Sequence, residues 1–187
     1  MIDLSNESDI GLTLAFATGA HMAVGQRRKY TGEEYITHPV EVANILNENI
    51  NVDINVLQAA ILHDVVEDTA VTIRNISTLF NSRVAILVDE VTDKFSDRSL
   101  GNRAHRKELE RERLANISKM GQNIKVADMI SNTKDIVTYD LKFAKVYLEE
   151  KSKLLDVLTK ADQRIVKIAR VQIEDGFKRI QEQDGWN

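Results

Sequence analysis

The 187-residue chain contains no cysteine, and this absence restricts its chemistry. Disulfides, thiolate zinc sites and cysteine nucleophiles are excluded, so histidine and carboxylate side chains are the ligands available to a metal. Such ligands suit hard or borderline divalent ions, with Mn²⁺ prominent among them. Any metal centre in this protein should therefore be built from imidazole and carboxylate donors.

Proline is almost absent as well, with a single residue at position 39. Apolar residues recur at helical spacing along the chain, and long β-type alternation is missing. With 43% hydrophobic residues, the chain is long enough for one well-buried core. We predict an all-α helical bundle that forms a single domain over residues 1–187.

The chain also lacks a basic leader and any apolar run of about 18 residues, the length that a membrane span requires. We therefore expect a cytoplasmic protein with no membrane partner. The formal net charge of -4 indicates no general preference for nucleic acid, although a local basic pocket could receive phosphate. The oligomeric state is left open.

Caps and breaks allow the helices to be placed. Pro39 suits the first turn of a helix, which puts His38 at the helix entrance. Asp53 is the predicted N-cap of the next helix, and residues 25–32 form a basic loop bracketed by glycines. The predicted helical segments are 9–24, 40–49, 73–80, 84–91, 124–136, 143–158 and 162–183.

The most informative segment is residues 57–69, in which His63-Asp64 is followed three residues later by Glu67-Asp68. Ionisable groups in an apolar helix must be compensated, because an unpaired buried charge is costly or shifts its pKa until it is neutral. On a continuous helix, His63 lies one turn before Glu67, and Asp64 lies one turn before Asp68. The His63-Asp64 pair could form one layer that holds a cation, and the Glu67-Asp68 pair could form a second layer that acts on water.

Five sequence blocks between residues 26 and 132 occur in a characteristic order. They are Gln26-Arg27-Arg28-Lys29, Tyr35-Ile36-Thr37-His38-Pro39, Leu62-His63-Asp64-Val65-Val66-Glu67-Asp68-Thr69, Glu90-Val91-Thr92-Asp93, and Val126-Ala127-Asp128 with Asn132. This order resembles the HD-domain metal phosphohydrolases and, more narrowly, the hydrolase domain of the RelA/SpoT alarmone family. The chain length is similar to that of the stand-alone small alarmone hydrolases.

The resemblance implies one metal ion per chain, usually Mn²⁺, with four ligands: His38, His63, Asp64 and Asp128. Two imidazoles and two carboxylates independently suit a catalytic centre, because they leave positions open for water and a phosphate oxygen. Glu67 and Asp68 resemble the second layer, which orients or deprotonates water and protonates a leaving group. Which carboxylate performs which task is left open.

The same resemblance implies a set of substrate contacts. Arg28 would stack on a purine base and Lys29 would approach the nucleotide, although both could instead be solvated loop charges. Asn132 resembles a substrate-contacting asparagine one helical turn after the last metal ligand. Lys134 and Tyr147 are further candidates for phosphate or ribose contact, and Tyr147 could instead be a packing residue.

Two features depart from the family pattern or lack its support. His21 resembles a histidine that often precedes the Gly-Gln loop, but Ala23 and Val24 lie between them as extra residues, so we predict a structural role. Residues 95–112 are rich in charge, and we predict a mobile loop leading into a solvated helix. His105 in that segment should be solvated, and its basic neighbours could meet terminal phosphates.

The expected activity is metal-dependent hydrolysis of the 3′-pyrophosphate of guanosine tetra- or pentaphosphate to GDP or GTP and pyrophosphate. This would make the protein a hydrolase of a nucleotide signal, acting in the stringent response. Two enzymatic alternatives use almost the same residues: hydrolysis of the adenosine counterpart, and removal of the 2′-phosphate of NADPH. A non-catalytic nucleotide sensor with the same fold is an alternative of a different class.

Overall fold

The computed structural model of the chain describes the backbone of residues 4–184. These residues form ten α-helices, one short 3₁₀ helix and no β-strand, with one isolated antiparallel bridge between Arg27 and Glu34. The prediction of an all-α protein is therefore confirmed. The helices are α1 Leu4–Ala23, α2 Thr37–Ile50, α3 Ile54–Ile61, α4 Val65–Asp68, α5 Ile73–Leu79, α6 Ser82–Val91, α7 Arg103–Leu114, α8 Lys119–Tyr139, α9 Leu141–Val157 and α10 Gln163–Asp184.

The chain divides into two compact units, Met1–Thr92 with α1–α6 and Asp93–Asn187 with α7–α10. The single domain predicted for residues 1–187 includes residues 1–3 and 185–187, which lie outside the described part of the chain. That single domain stays a prediction. None of the helices within residues 4–184 combines the length and apolar character that a membrane span needs.

In the first unit, α3 is the central helix. It packs against α1, α2 and α6, while α5 packs against α6. The core between these helices contains fully buried aliphatic side chains such as Leu46, Val56 and Val84. Asp53 caps the N-terminus of α3 as predicted, since its Oδ1 accepts from the amides of Asn55 and Val56.

The predicted continuous helix through the central motif is wrong. Helix α3 ends at Ile61, residues 62–64 form a turn, and α4 begins at Val65. The amide of Val65 donates to the carbonyl of Leu62, three residues back, which tightens the chain into that turn. Asp64 and Asp68 remain one helical turn apart, because the amide of Asp68 donates to the carbonyl of Asp64 at 2.9 Å.

Helix α1 ends in a Schellman motif that brings Gln26 back beside His21. The amide of Gln26 donates to the carbonyl of His21 at 3.0 Å, and the amide of Gly25 donates to the carbonyl of Met22 at 2.9 Å. Gly25 has a φ of 67°, the left-handed conformation that this motif requires. The extra residues, Ala23 and Val24, lie within this motif and do not move Gln26 away from His21.

The second unit is built around α8, which packs against α9 and α10, while α7 packs against α9. Helix α8 is buried along most of its length, including Ile124, Val126 and Met129. Residues 95–102 form a loop with the 3₁₀ helix Arg98–Leu100, and α7 follows. The loop-then-helix prediction is confirmed and His105 is exposed, whereas the mobility of this segment stays a prediction.

Replacing Gly25 with alanine should lower the free energy of unfolding by about 1 kcal/mol, because an L side chain is strained at positive φ. A Cβ at Gly25 would meet no atom within 4 Å, so the cost comes from the backbone. Urea denaturation followed by circular dichroism measures the change. Gly19→Ala is the matched control, since Gly19 lies inside α1 with equally open space and should gain about 0.5–1 kcal/mol. Equal effects of the two substitutions would contradict the left-handed conformation of Gly25.

Candidate metal centre

Three of the predicted ligands meet in the first unit. His38 comes from the first turn of α2, and His63 and Asp64 come from the turn between α3 and α4. One ligand atom of each lies within 4.8 Å of the others. Both imidazoles are 1% exposed, and Asp64 is partly exposed. The two histidines are thus shielded while the carboxylate retains access to solvent.

A backbone contact determines which nitrogen of His63 can bind a cation. The Nδ1 atom lies 2.8 Å from the carbonyl of Ala60, and a carbonyl can only accept, so Nδ1 donates. In the neutral ring the Nε2 atom therefore carries the lone pair. It lies 3.0 Å from Oδ2 of Asp64, and Nε2 of His38 lies 3.6 Å from the same oxygen. Two imidazole nitrogens around one carboxylate oxygen fit a divalent cation.

Tyr35 holds the carboxylate in this group. Its hydroxyl donates to Oδ2 of Asp64 at 2.5 Å, a charge-assisted hydrogen bond. The Tyr35 ring lies edge-on to His38, with 5.8 Å between the ring centroids, and is tilted against His21 at 4.6 Å. Tyr35 was part of a sequence block that resembles the family, but its role was not predicted.

The second predicted layer lies on α4. The Nε2 atom of Gln26 donates to Oδ2 of Asp68 at 2.8 Å, and Oε1 of Gln26 lies 2.7 Å from Nδ1 of His21. Asp68 is exposed, but desolvation by the surrounding protein raises its pKa; the Gln26 hydrogen bond lowers that pKa, and the nearby charge of Asp64 raises it further. Glu67 is exposed on the same helix. The role of Gln26 was not predicted either.

The predicted nucleotide-binding residues of the first unit lie in the loop after α1. The backbone of Arg28 closes this loop, because its amide donates to Glu33 and its carbonyl accepts from Gly32, both at 3.0 Å. The Arg28 side chain is partly buried, whereas Lys29 is exposed. The ammonium of Lys29 donates to the Tyr30 hydroxyl at 3.1 Å and lies 4.6 Å from the centre of that ring. Their substrate contacts stay predictions.

Asp128 lies in the second unit, on α8, and is 7% exposed. Its Oδ1 atom accepts from Nδ2 of Asn132 at 2.5 Å, and its Oδ2 lies 3.7 Å from Nζ of Lys125. These two contacts compensate the buried carboxylate. Its role as the fourth metal ligand, and the substrate contact of Asn132, stay predictions.

The last two substrate candidates differ in their surroundings. Lys134 is exposed on α8. Tyr147 is buried on α9, where its ring centroid lies 6.1 Å from that of Phe143 and 5.3 Å from Nζ of Lys151. The packing alternative for Tyr147 thus has direct contacts in its favour. Contact of either residue with substrate stays a prediction.

Three lysines surround Asp93 in the second unit, and the sequence carried no signal for this cluster. Lys107 donates to Oδ2 of Asp93 at 3.0 Å, and Nζ of Lys125 lies 3.7 Å from its Oδ1. Burial raises the pKa of Asp93, but the charges of Lys125, Lys107 and Lys151 outweigh it and hold that pKa at about 2. Burial also lowers the pKa of Lys151, against the opposing attraction of Asp128.

An all-α chain that gathers two histidines and an aspartate from a His-Asp turn and a neighbouring helix has the defining features of an HD domain. The chain belongs to the HD domain family, whose model matches residues 13–129. That stretch includes every predicted metal ligand and both predicted acid-base carboxylates.

Within the HD domain family, the chain is similar to named hydrolases. The chain is similar to guanosine-3′,5′-bis(diphosphate) 3′-pyrophosphohydrolase MESH1 of Homo sapiens, with 42% identity over 113 residues, 59% of this chain and 61% of the human protein. The Xenopus tropicalis protein of the same name is 39% identical over 132 residues, 69% of this chain and 72% of that protein. The matched stretch thus spans less than two thirds of the human relative.

A solved structure gives a third comparison. It is that of a metazoan orthologue of SpoT that hydrolyses ppGpp, with a TM-score of 0.76 and 31% identity, covering 90% of this chain and 93% of the other. The predicted resemblance to the HD-domain phosphohydrolases and the small alarmone hydrolases is confirmed.

Tyr35→Phe should weaken Mn²⁺ binding by about 10- to 100-fold, the usual effect of losing a hydrogen bond that orients a metal ligand. Isothermal titration of the purified protein with Mn²⁺ measures the affinity. Tyr30→Phe is the matched control, because its hydroxyl bonds to Lys29 at the surface, and it should leave the affinity unchanged. Equal Mn²⁺ affinities of the Tyr35→Phe variant and the parent protein would show that the hydroxyl does not support the centre.

Asp93→Asn should destabilise the protein at pH 7 by about 2 kcal/mol, because folding lowers the pKa of this carboxyl from 3.8 to about 2. Because the pKa of Asp93 is lower in the folded state, its ionisation stabilises the fold at pH values above the unfolded-state pKa. This stabilisation is lost as the pH falls through the folded-state pKa. The difference in unfolding free energy should therefore shrink between about pH 4 and pH 2, as urea titrations at several pH values would measure. Asp175→Asn, at an exposed ion pair with Lys178, is the control and should show little change.

Proposed function

We propose that this protein is a metal-dependent hydrolase that removes the 3′-pyrophosphate of guanosine tetra- or pentaphosphate, yielding GDP or GTP and pyrophosphate. The observation that carries the proposal is the convergence of His38, His63 and Asp64 beside a second carboxylate layer. The relatives that bear the name of this activity support the choice of substrate.

The metal would be held by His38, His63 and Asp64, with Asp128 as the fourth ligand implied by the family resemblance. We propose Mn²⁺, one ion per chain, because imidazole and carboxylate donors suit a borderline divalent ion. When bound, such an ion supplies Lewis-acid chemistry: it polarises a phosphate group and makes water more acidic.

The reaction breaks one bond and forms another. The oxygen of water bonds to the phosphorus attached to O3′, the bond between that phosphorus and O3′ breaks, and O3′ takes up a proton. Pyrophosphate leaves with the water oxygen. The protein must therefore accept a proton from water and supply one to O3′.

Glu67 and Asp68 are the proposed groups for these proton transfers. The raised pKa of Asp68 supports the assignment, since a carboxyl group exchanges protons more effectively when its pKa approaches the working pH. Asp68 is held by Gln26 and lies one helical turn after Asp64. Glu67 is exposed and can meet the substrate from solvent.

The proposed nucleotide contacts are those that the family resemblance implies. We propose that Arg28 stacks on the purine and that Lys29 approaches the phosphates, since a guanidinium offers a flat face and an ammonium offers a point charge. Asn132, Lys134 and Tyr147 complete the proposed contacts. The substrate would be a small cytoplasmic nucleotide of the stringent response, with neither nucleic acid nor membrane as partner.

The test is product release from guanosine tetraphosphate in the presence of Mn²⁺ or of a chelator. The parent protein should release pyrophosphate only with the metal. Asp64→Ala should abolish turnover, because it removes the carboxylate that lies beside both imidazole rings. Asp175→Ala is a suitable control at a carboxylate in an exposed ion pair with Lys178, and it should retain activity.

The same assay with the adenosine counterpart and with NADPH separates the alternatives. Preference for the adenosine alarmone would change the base specificity, and phosphate release from NADPH without alarmone hydrolysis would make the protein a cofactor phosphatase. Mn²⁺ binding without turnover of any of the three nucleotides would contradict the proposed enzyme and favour a nucleotide sensor.

A further inference from the structure

His21 is a buried histidine in the first unit that the proposed reaction does not use. It is 1% exposed, and its Nε2 atom has no hydrogen-bond partner among the described residues. A buried polar atom without a partner costs roughly 1–3 kcal/mol. An aliphatic side chain would avoid that cost, so the imidazole is a poor choice for packing and requires another explanation.

The other nitrogen of the ring supplies that explanation. Nδ1 of His21 lies 2.7 Å from Oε1 of Gln26, and Nε2 of Gln26 lies 2.8 Å from Oδ2 of Asp68. The carboxylate of Asp68 can only accept, so the Gln26 amide must turn its NH₂ group towards it. The Gln26 carbonyl then faces His21 and can only accept, which requires a proton on Nδ1. The direction of both hydrogen bonds is thereby determined.

We propose that His21 and Gln26 are positioning residues for the carboxylate of Asp68. The buried ring holds the Gln26 amide in one orientation, and the amide holds Asp68 for proton transfer. This inference rests on the proposed function, because it assigns a task to residues behind one of its acid-base groups.

The backbone reinforces this pair. The Schellman motif at the end of α1 already joins the Gln26 amide to the His21 carbonyl at 3.0 Å, so the two residues are bonded through both main chain and side chain. Gln26 consequently has little freedom to turn away from Asp68. The two extra residues in this helix end do not separate the partners.

The ring of His21 also supports the metal layer. Its centroid lies 4.6 Å from that of Tyr35, whose hydroxyl donates to Asp64. One buried imidazole therefore lies behind both carboxylates, contacting one through Gln26 and the other through Tyr35. A side chain of similar size without a donor would keep the packing and lose the first of these connections.

Substitutions separate positioning from packing. His21→Leu and Gln26→Met should each lower kcat for pyrophosphate release by about 10- to 100-fold with KM unchanged, since the substrate-binding residues are retained. His21→Asn should recover most of the loss, because the Asn amide nitrogen can take the place of Nδ1. The double variant should be no slower than either single variant, as expected for two residues that act through one contact.

The matched control is Gln58→Met, the same change at a second glutamine of the first unit, which is buried. Gln58 donates to the Thr13 hydroxyl at 3.0 Å, and within the described part of the chain its side chain bonds to none of the site residues. This variant should keep the parent kcat although it loses a buried hydrogen bond. His21→Leu should show the opposite pattern, with slow turnover and a melting temperature that is unchanged or higher. Normal kcat in His21→Leu, or reduced kcat that Asn does not restore, would overturn the proposal.

A measurement that needs no turnover keeps this inference distinct from the proposed function. Long-range ¹H–¹⁵N spectra of the full chain should show His21 as a neutral ring protonated on Nδ1, and Gln26→Met should change that tautomer. The side-chain amide signal of Gln26 should shift in Asp68→Ala. A parent protein with His21 protonated on Nε2 would refute the positioning role of His21 and Gln26. Inactivity of the parent on alarmones would refute only the proposed reaction.

Discussion

The hydrogen bond between Nδ1 of His63 and the carbonyl of Ala60 is the contact on which the candidate metal centre depends. The last carbonyls of a helix lack intrahelical donors, and at the end of α3 the imidazole supplies one. Since Nδ1 is committed to the backbone, Nε2 is the nitrogen that faces the Asp64 carboxylate at 3.0 Å. The end of a helix and the orientation of a ligand are therefore produced by the same bond.

Around this bond, the first unit arranges two carboxylates with different supports. Asp64 accepts from the Tyr35 hydroxyl, and Asp68 accepts from the Gln26 amide. In the proposed function Asp64 is a metal ligand, which must stay ionised, and Asp68 is an acid-base group, which must exchange protons. Each carboxylate has its own donor from the loop after α1, and the His21 ring contacts both donors.

The second unit handles its buried charges by a different arrangement. Asp93 is surrounded by lysines from α7, α8 and α9, which keep it ionised, and Asp128 shares Lys125 with this cluster. Removing one member of such a cluster leaves the others uncompensated in a poorly hydrated environment. Loss of one of these charges should therefore weaken the packing of the three helices.

Residue types, helical periodicity and motif order were sufficient to predict the all-α class, the Asp53 cap, the basic loop after α1 and the group of His38, His63 and Asp64. The helices, the cap and the loop depend on short-range preferences, whereas the group of His38, His63 and Asp64 was implied by the family resemblance. The helix break at residues 62–64 was missed, because its bonds use backbone groups that every residue possesses. The hydrogen bonds of Tyr35 and Gln26 to carboxylates 29 and 42 residues away, and the lysines around Asp93, follow from the folding of distant segments against one another. Such contacts leave no periodic signal in a single sequence, so they depend on the packed chain.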